Sequence, residues 1–171
     1  MGQKQKALEN YQKSQEIFSS AKSPEHPFVA MALSNMASIY SALGKKSQAK
    51  QCYERSIEIR TKVLGPDHID LALPIQNLGR VHCSIGEYKT GRGLIEKSLE
   101  LRKKAYGEDH EIVASSLIMY GGVLAELGEN EKRLELYAKA EKTLVKSFGS
   151  ENFKCLFSYK AMAEAMIDFG K

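Results

Sequence analysis

The stretch GPDHIDLALPIQNLGRVHCSIG, residues 65–86, decides the fold, because the chain restates it on either side. Residues 23–44 read SPEHPFVAMALSNMASIYSALG, and residues 107–128 read GEDHEIVASSLIMYGGVLAELG. His26, His68 and His110 are therefore spaced by 42 residues. Gly2, Gly44, Gly86, Gly128 and Gly170 fall on one lattice of that period, and Gly65, Gly107 and Gly149 on a second, with Ser23 in its remaining slot. The two lattices are 21 residues apart, so each repeat consists of two segments of similar length, each closed by glycine. Glycine in that place suits the residue just past a helix C-terminus, where a left-handed backbone carries no Cβ clash.

Between the glycines the apolar period is helical. Val29, Leu33, Met36, Ala37, Tyr40 and Leu43 recur as Leu71, Ile75, Leu78, Gly79, His82 and Ile85. They recur again as Val113, Leu117, Tyr120, Gly121, Leu124 and Leu127. Steps of three and four residues mark one face of an α-helix. In the second segment Ala49, Tyr53, Ser56 and Ile59 recur as Gly91, Ile95, Ser98 and Leu101. The expected fold is all-α, antiparallel helix pairs stacked side by side in a right-handed α-solenoid.

The small-x-x-Tyr of the first helix, the glycine, and the Ala-x-x-x-Tyr-x-x-Ser of the second resemble the tetratricopeptide repeat, whose usual period is about 34 residues. The additional eight residues of this period amount to about two α-helical turns, roughly one per helix. G-x-x-H-x-x-x-A, then N-[LM]-[AG], then E-[RK]-S-[IL]-E-[IL]-R resembles the long repeats of kinesin light chains and nephrocystin-like proteins. The resemblance implies a non-enzymatic scaffold that binds a protein partner or an extended peptide. The repeats are expected at 24–65, 66–107 and 108–149, with half repeats at 2–23 and 150–171, in one helical-repeat domain. The third repeat drifts, with Met119 where Asn35 and Asn77 stand, and Asn152 takes the histidine slot of the fourth. The opening segment aligns Ala7, Tyr11, Ser14 and Ile17 with Ala49, Tyr53, Ser56 and Ile59, so it reads as a second-type helix. Without polar capping helices the array is expected to be an excerpt of a longer one, and end-to-end self-association through uncapped terminal helices is open to it.

Each repeat histidine follows a helix-ending glycine and precedes the next helix, which is N-cap territory, with Pro27 at a favoured first helical position. Glu25, Asp67 and Asp109 suit the positive end of a helix dipole. A shared metal is excluded by distance: neighbouring helices pack about 8–10 Å apart, whereas zinc takes nitrogens at about 2.0–2.1 Å. His82, in the slot of Tyr40 and Leu124, reads as a core or core-edge residue.

In a stack of helix pairs the first helices line the concave side. Off their packing face lie Ser34, Asn35, Ser38 and Ser41, then Gln76, Asn77, Arg80 and Cys83, then Ile118, Met119, Gly122 and Glu126, then Lys160, Glu164 and Asp168. In kinesin light chains the Asn of the N-L-A signature faces the groove and bonds the backbone of an extended cargo peptide; that role carries over to Asn35 and Asn77 alone. An amide supplies the donor and acceptor such recognition needs. The competing reading is an Asn bonding across to the next helix. The candidate groove residues are Asn35, Asn77, Arg80, Ser38 and Lys160, with no catalytic residue and no metal ligand among them. A purely structural reading, a spacer or oligomerisation segment of a larger protein, predicts no peptide affinity.

Composition narrows the alternatives. The 171 residues are 43% apolar and 27% charged, with net charge +4, ordinary for a soluble globular chain. No apolar run approaches the ~18 residues of a membrane helix, the N-terminus MGQKQKALENYQ has no signal-peptide core, and Lys6 stands where myristoylation wants Ser or Thr. Cys52, Cys83 and Cys155 form no CxxC, which suits a reducing, cytoplasmic setting. Basic residues crowd the second helices beside acidic neighbours, as in ERSIEIR and EKSLELRKK, the pattern of solvated convex faces. Arg102-Lys103-Lys104 reads as surface, and the nearly neutral first-helix wall offers no phosphate track for nucleic acid, which leaves the basic convex face as the one place for that less favoured alternative. No GxSxG, HExxH or P-loop is present, and no cofactor is expected. Cys83 lies near Arg80, which could favour its thiolate, but with no nucleophile motif around it reads as a plain reduced cysteine. Pro74 is expected to bend the start of its helix, and Gly91, Gly93, Gly121 and Gly122 to weaken theirs by about 1 kcal/mol each.

Overall fold

The computed structural model describes residues 2–170, apart from the Phe169 side chain. The described residues form eight α-helices and one short 3-10 turn, with no strand. In order they are α1 (Gly2–Ala21), α2 (Pro27–Ala42), α3 (Lys46–Leu64), the turn Ile69–Leu71, α4 (Ala72–Ser84), α5 (Tyr88–Tyr106), α6 (Glu111–Glu126), α7 (Asn130–Phe148) and α8 (Phe153–Phe169). The chain divides into two compact units, 1–101 and 102–171.

The starts of the first helices of each pair are set by one device, whereas α3 and α7 have no side-chain cap. The N–H groups of Phe28, Asp70 and Ile112 each donate to Nδ1 of the histidine two residues before, His26, His68 and His110, at 3.2 Å. The Lys154 N–H donates to Asn152 Oδ1 at 3.0 Å, so the asparagine in the fourth slot does the same work. An imidazole nitrogen thus replaces the usual Ser or Asp oxygen in satisfying an orphan amide of the first turn.

The helix ends use glycine in two ways. After α2, α4 and α6 the N–H groups of Lys45, Glu87 and Glu129 reach back to Tyr40, His82 and Leu124 carbonyls at 2.9–3.0 Å. This 6→1 closure needs the left-handed residue that Gly44, Gly86 and Gly128 supply, at φ 74°, 85° and 73°. After α3 and α7 the glycine is more demanding, because Gly65 (φ 86°, ψ 162°) and Gly149 (φ 82°, ψ 155°) occupy a region essentially closed to residues with a Cβ. Ser23, in that slot after α1, has no positive φ; its Oγ instead accepts from the Glu25 N–H at 3.1 Å. Gly2 and Gly170 depart from the lattice expectation: Gly2 opens α1, and Gly170 has φ −84°.

In the first unit, α2 packs on α1 and α3, and α3 on α4. Its core gathers Leu8, Met36, Ala37, Tyr40, Ala49, Tyr53, Leu78 and Val81, all buried. A second cluster joins Val29, Ala30 and Leu33 to Ile59, and a third joins Leu71, Ala72 and Ile75 to Leu101. Pro74 falls at the third residue of α4, where its missing N–H would have had no helical partner. The turn Ile69–Leu71 takes up the start of that segment, leaving α4 with 13 residues against 16 in α2.

Gly91 does not interrupt its helix: α5 runs unbroken from Tyr88 to Tyr106. A Cβ on Gly79 would lie 2.8 Å from the Gly91 carbonyl oxygen, and one on Gly91 would lie 2.6 Å from the Gly79 oxygen and fall on Cys83 Sγ. The two glycines let the α4 and α5 backbones meet, a packing reason at Gly91 that its own helix does not reveal.

In the second unit α6 packs on α7 and α7 on α8. Gly121 admits the Tyr137 ring, which an added Cβ would penetrate, whereas Gly93 and Gly122 face open space.

Candidate peptide-binding face

The first helices of unit 1 carry most of the candidate residues. Asn35 is half-buried and Ser38 exposed on α2; Asn77 is half-buried and Arg80 exposed on α4. Two of these four, Ser38 and Asn77, meet at one group, the Tyr53 hydroxyl that α3 projects between the two helices. Ser38 Oγ lies 2.8 Å from it, the Asn77 side chain hydrogen-bonds it, and the Arg80 charge acts on it. Burial of Tyr53, which is 2% exposed, pushes its pKa above the usual tyrosine value; the two hydrogen bonds and Arg80 oppose the shift without cancelling it. The hydroxyl therefore stays a neutral donor and acceptor that holds Ser38 and Asn77 in place.

The two asparagines differ. Asn77 is tied to Tyr53 across the helix boundary, with the rest of its amide still available. Asn35 has no side-chain hydrogen bond among the described residues. Nor does the exposed Arg80 have an ion-pair partner among them. Lys160 is exposed on α8, in the second unit, 3.8 Å from Glu164 one turn on.

Two further residues belong to this face. Met31 and Leu73 are 45% and 58% exposed. Met31, Asn35 and Ser38 stand at i, i+4 and i+7 on α2, as Leu73, Asn77 and Arg80 do on α4, so each trio shares one side of its helix. Met31 and Leu73 both lie off the core positions 29, 33, 36, 37 and 40 and their equivalents. That mismatch, repeated at 42 residues, was the available signal.

Other groove candidates lie elsewhere. Gln76 (5% exposed) and Cys83 (4%) are buried. Ser34 joins a polar network beneath the face: its Oγ is 2.7 Å from Ser56 Oγ, Ser56 donates to the Ala30 carbonyl at 2.6 Å, and Arg60 donates to Ser34 at 2.8 Å. In the next repeat Ser98 donates to the Ala72 carbonyl at 2.7 Å. Arg102 is only 8% exposed and donates to Ser116 Oγ at 2.7 Å. Arg60 and Arg102 are thus struts between helices rather than members of a solvated face, because a guanidinium carries several donors to carbonyls and hydroxyls that a helix leaves free. Neighbouring Arg55 does pair locally, with Glu58 at 2.7 Å. His82 is 6% exposed and hydrogen-bonded to Glu87.

Known structures match this architecture closely. A kinesin-light-chain-type protein of Podosopora anserina with nearly identical TPR-like repeats superposes with a TM-score of 0.84 at 22% identity, over 99% of this chain and 80% of that one. BtubC (BKLC) from P. vanneervenii superposes with a TM-score of 0.79 at 15% identity, over 94% of this chain and 67% of that one. Likeness at such identities concerns the fold, an all-α solenoid of helix pairs. No curated protein sequence gives a significant match. The sequence model of the tetratricopeptide repeat matches residues 1–62 and 71–144. With histidine-capped, glycine-closed helix pairs repeating every 42 residues under that match, the chain belongs to the tetratricopeptide-repeat family.

Proposed function

We propose that the chain is a non-catalytic scaffold that binds an extended peptide across α2 and α4. Tetratricopeptide repeats generally mediate protein–protein interaction, which supports the broad class. The observation that carries the finer reading is the pair of matched trios, Met31–Asn35–Ser38 and Leu73–Asn77–Arg80. Each offers, in the same order along its helix, an exposed apolar side chain, an amide and a polar head. Asn35 and the free part of the Asn77 amide bond peptide backbone, Met31 and Leu73 take up apolar side chains, and Arg80 meets an acidic one. Lys160, exposed on α8 of the second unit, is proposed as a separate cationic contact for an acidic side chain. No cofactor, metal or nucleic acid takes part, and the setting is cytoplasmic; no described helix is long and apolar enough to cross a membrane.

The test is a display screen of proteomic peptides against the whole chain, followed by calorimetry. Asn35→Ala/Asn77→Ala and Arg80→Ala should each weaken enriched peptides at least tenfold, about 1.4 kcal/mol, while retaining cooperative melting. Undiminished binding by both would overturn the assignment. A second reading, a structural spacer, is favoured by the Asn77–Tyr53 bond, which gives one asparagine a purely internal use. It expects no enrichment, and loss of stability in Asn77→Ala.

A further inference from the structure

We infer that one rim of the first unit docks on an anionic phospholipid surface, a peripheral contact separate from the peptide-binding face. The rim is made where α2 passes into α3, where α4 passes into α5, and by the start of α1. Lys46 Nζ donates to the Ser84 carbonyl at 2.5 Å, which sets the first two of these turns side by side. Lys4 and Lys6 of α1 line a cavity of about 720 Å³ with Ala42 and Leu43, which brings the third beside them. Residues 2–6, 42–47 and 84–90 hold five lysines, Lys4, Lys6, Lys45, Lys46 and Lys89, against one carboxylate, Glu87. Glu87 is already bonded to His82 and lies 3.5 Å from Lys50.

Apart from Lys46, these cations have no internal use among the described residues. Lys50, Lys62, Lys139 and Lys146 each reach a carboxylate at 3.5 Å or less. None of the five rim lysines does so among the described residues, and all but the half-buried Lys46 are exposed. Lys45 holds the N-cap position of α3 without making a side-chain cap. The repeat shows that these slots accept the opposite charge. Lys45 is replaced by Glu87 and Glu129 in the next two repeats, and Lys89 by Glu131 in the one after it. The turns at the opposite end of the same helices balance Lys22 and Lys62 with Glu25, Asp67 and Asp70.

The chemistry of the rim suits a charged lipid surface more than one acidic strand. Lysine ammonium groups are point charges on flexible stems, without the planar fork that fixes a single carboxylate. Spread over three turns, they answer a field of negative charge. Ile85 and Tyr88, 42% and 38% exposed, project from the same turns. An aliphatic side chain beside a tyrosine fits the headgroup layer, which accommodates an apolar body and a hydroxyl together. Each lysine close to an anionic leaflet raises partitioning about fivefold, and salt screens that gain.

Co-sedimentation of the whole chain with phosphatidylcholine vesicles, with and without phosphatidylserine as one lipid in three, tests this. At about 0.1 M salt the chain should sediment with the mixed vesicles and not with pure phosphatidylcholine, and about 1 M salt should release it. Lys45→Glu/Lys89→Glu copies residues that the repeat itself places in those slots. It should lower the partition coefficient at least about 25-fold with unchanged melting. Lys13→Glu/Lys97→Glu, an equal change of net charge at exposed positions further along α1 and α5, should bind nearly as wild type does. Asn35→Ala/Asn77→Ala should also bind unchanged, which separates this contact from the peptide-binding face. Equal binding to both kinds of vesicle, equal loss in the two charge-reversed variants, or no sedimentation at all overturns the inference. So does capture of the chain by poly-glutamate but not by the mixed vesicles, which would assign the rim to an acidic polypeptide.

Discussion

His68 and Asn152 hold their helix starts with different atoms in the same place, an imidazole Nδ1 at 3.2 Å and an amide Oδ1 at 3.0 Å from the N–H two residues on. Only the acceptor matters, so His68→Asn should leave stability unchanged, whereas His68→Ala should cost about 1 kcal/mol, the usual worth of an N-cap. Urea denaturation of the two variants decides it, and equal losses would mean that the ring packs rather than caps. The turn glycines differ in the same testable way. Asparagine adopts the left-handed conformation of Gly44 with little strain, so Gly44→Asn should be nearly neutral. Gly65, at ψ 162°, lies where no side chain is at ease, and Gly65→Asn should cost about 1–3 kcal/mol. A thermal melt that ranks the two alike would refute the distinction between the helix endings.

At the scale of the helix, the interior glycines split by what faces them. A Cβ on Gly121 enters the Tyr137 ring, so Gly121→Ala should cost about 1–3 kcal/mol by overpacking. Gly93 and Gly122 meet nothing within 4 Å and have ordinary helical backbone, so alanine there should stabilise by up to about 1 kcal/mol. Denaturant midpoints measure all three, and adding Tyr137→Leu to Gly121→Ala should recover part of the loss. These helices were legible in the sequence because their signals are local: a 3.6-residue apolar face, a capping residue before it and a glycine after it. What was not legible depends on the neighbouring helix. Gly91 reads as a weak point until the Gly79 carbonyl is seen against it. Arg60 and Arg102 sit among acidic residues in ERSIEIR and ELRKK, as residues of a solvated helix do. Only the Ser34 and Ser116 hydroxyls across the interface show that they are struts.

For the whole molecule, the same division governs the candidate face. Asn35 and Asn77 are legible through a motif, but that Ser38 and Asn77 share the Tyr53 hydroxyl is not, because the tyrosine belongs to another helix and sits in a core slot. That convergence leaves a signature in the pH dependence of stability. Glu58, Glu87, Glu108 and Asp109 have pKa values below the ordinary carboxylate range, held there by Arg55, His82, Lys139 and Lys146 respectively. A depressed carboxylate stabilises the folded state above its ordinary pKa, and that contribution is lost as pH falls through the folded value. All four are on the surface, so added salt should shrink the acid-side slope. Tyr53 has the opposite sign: its raised pKa gives stability fully present below the ordinary tyrosine range near pH 10, and lost as pH rises through the folded value. Melting temperature should therefore form a plateau falling at both ends. Tyr53→Phe should lie below wild type at neutral pH, having lost the Ser38 and Asn77 bonds, and the gap should narrow above about pH 10. Tyr53 ionises in unfolded wild type before it does in the folded protein, whereas phenylalanine cannot ionise in either, so parallel curves across the alkaline range would show that the hydroxyl is not held in the buried cluster described.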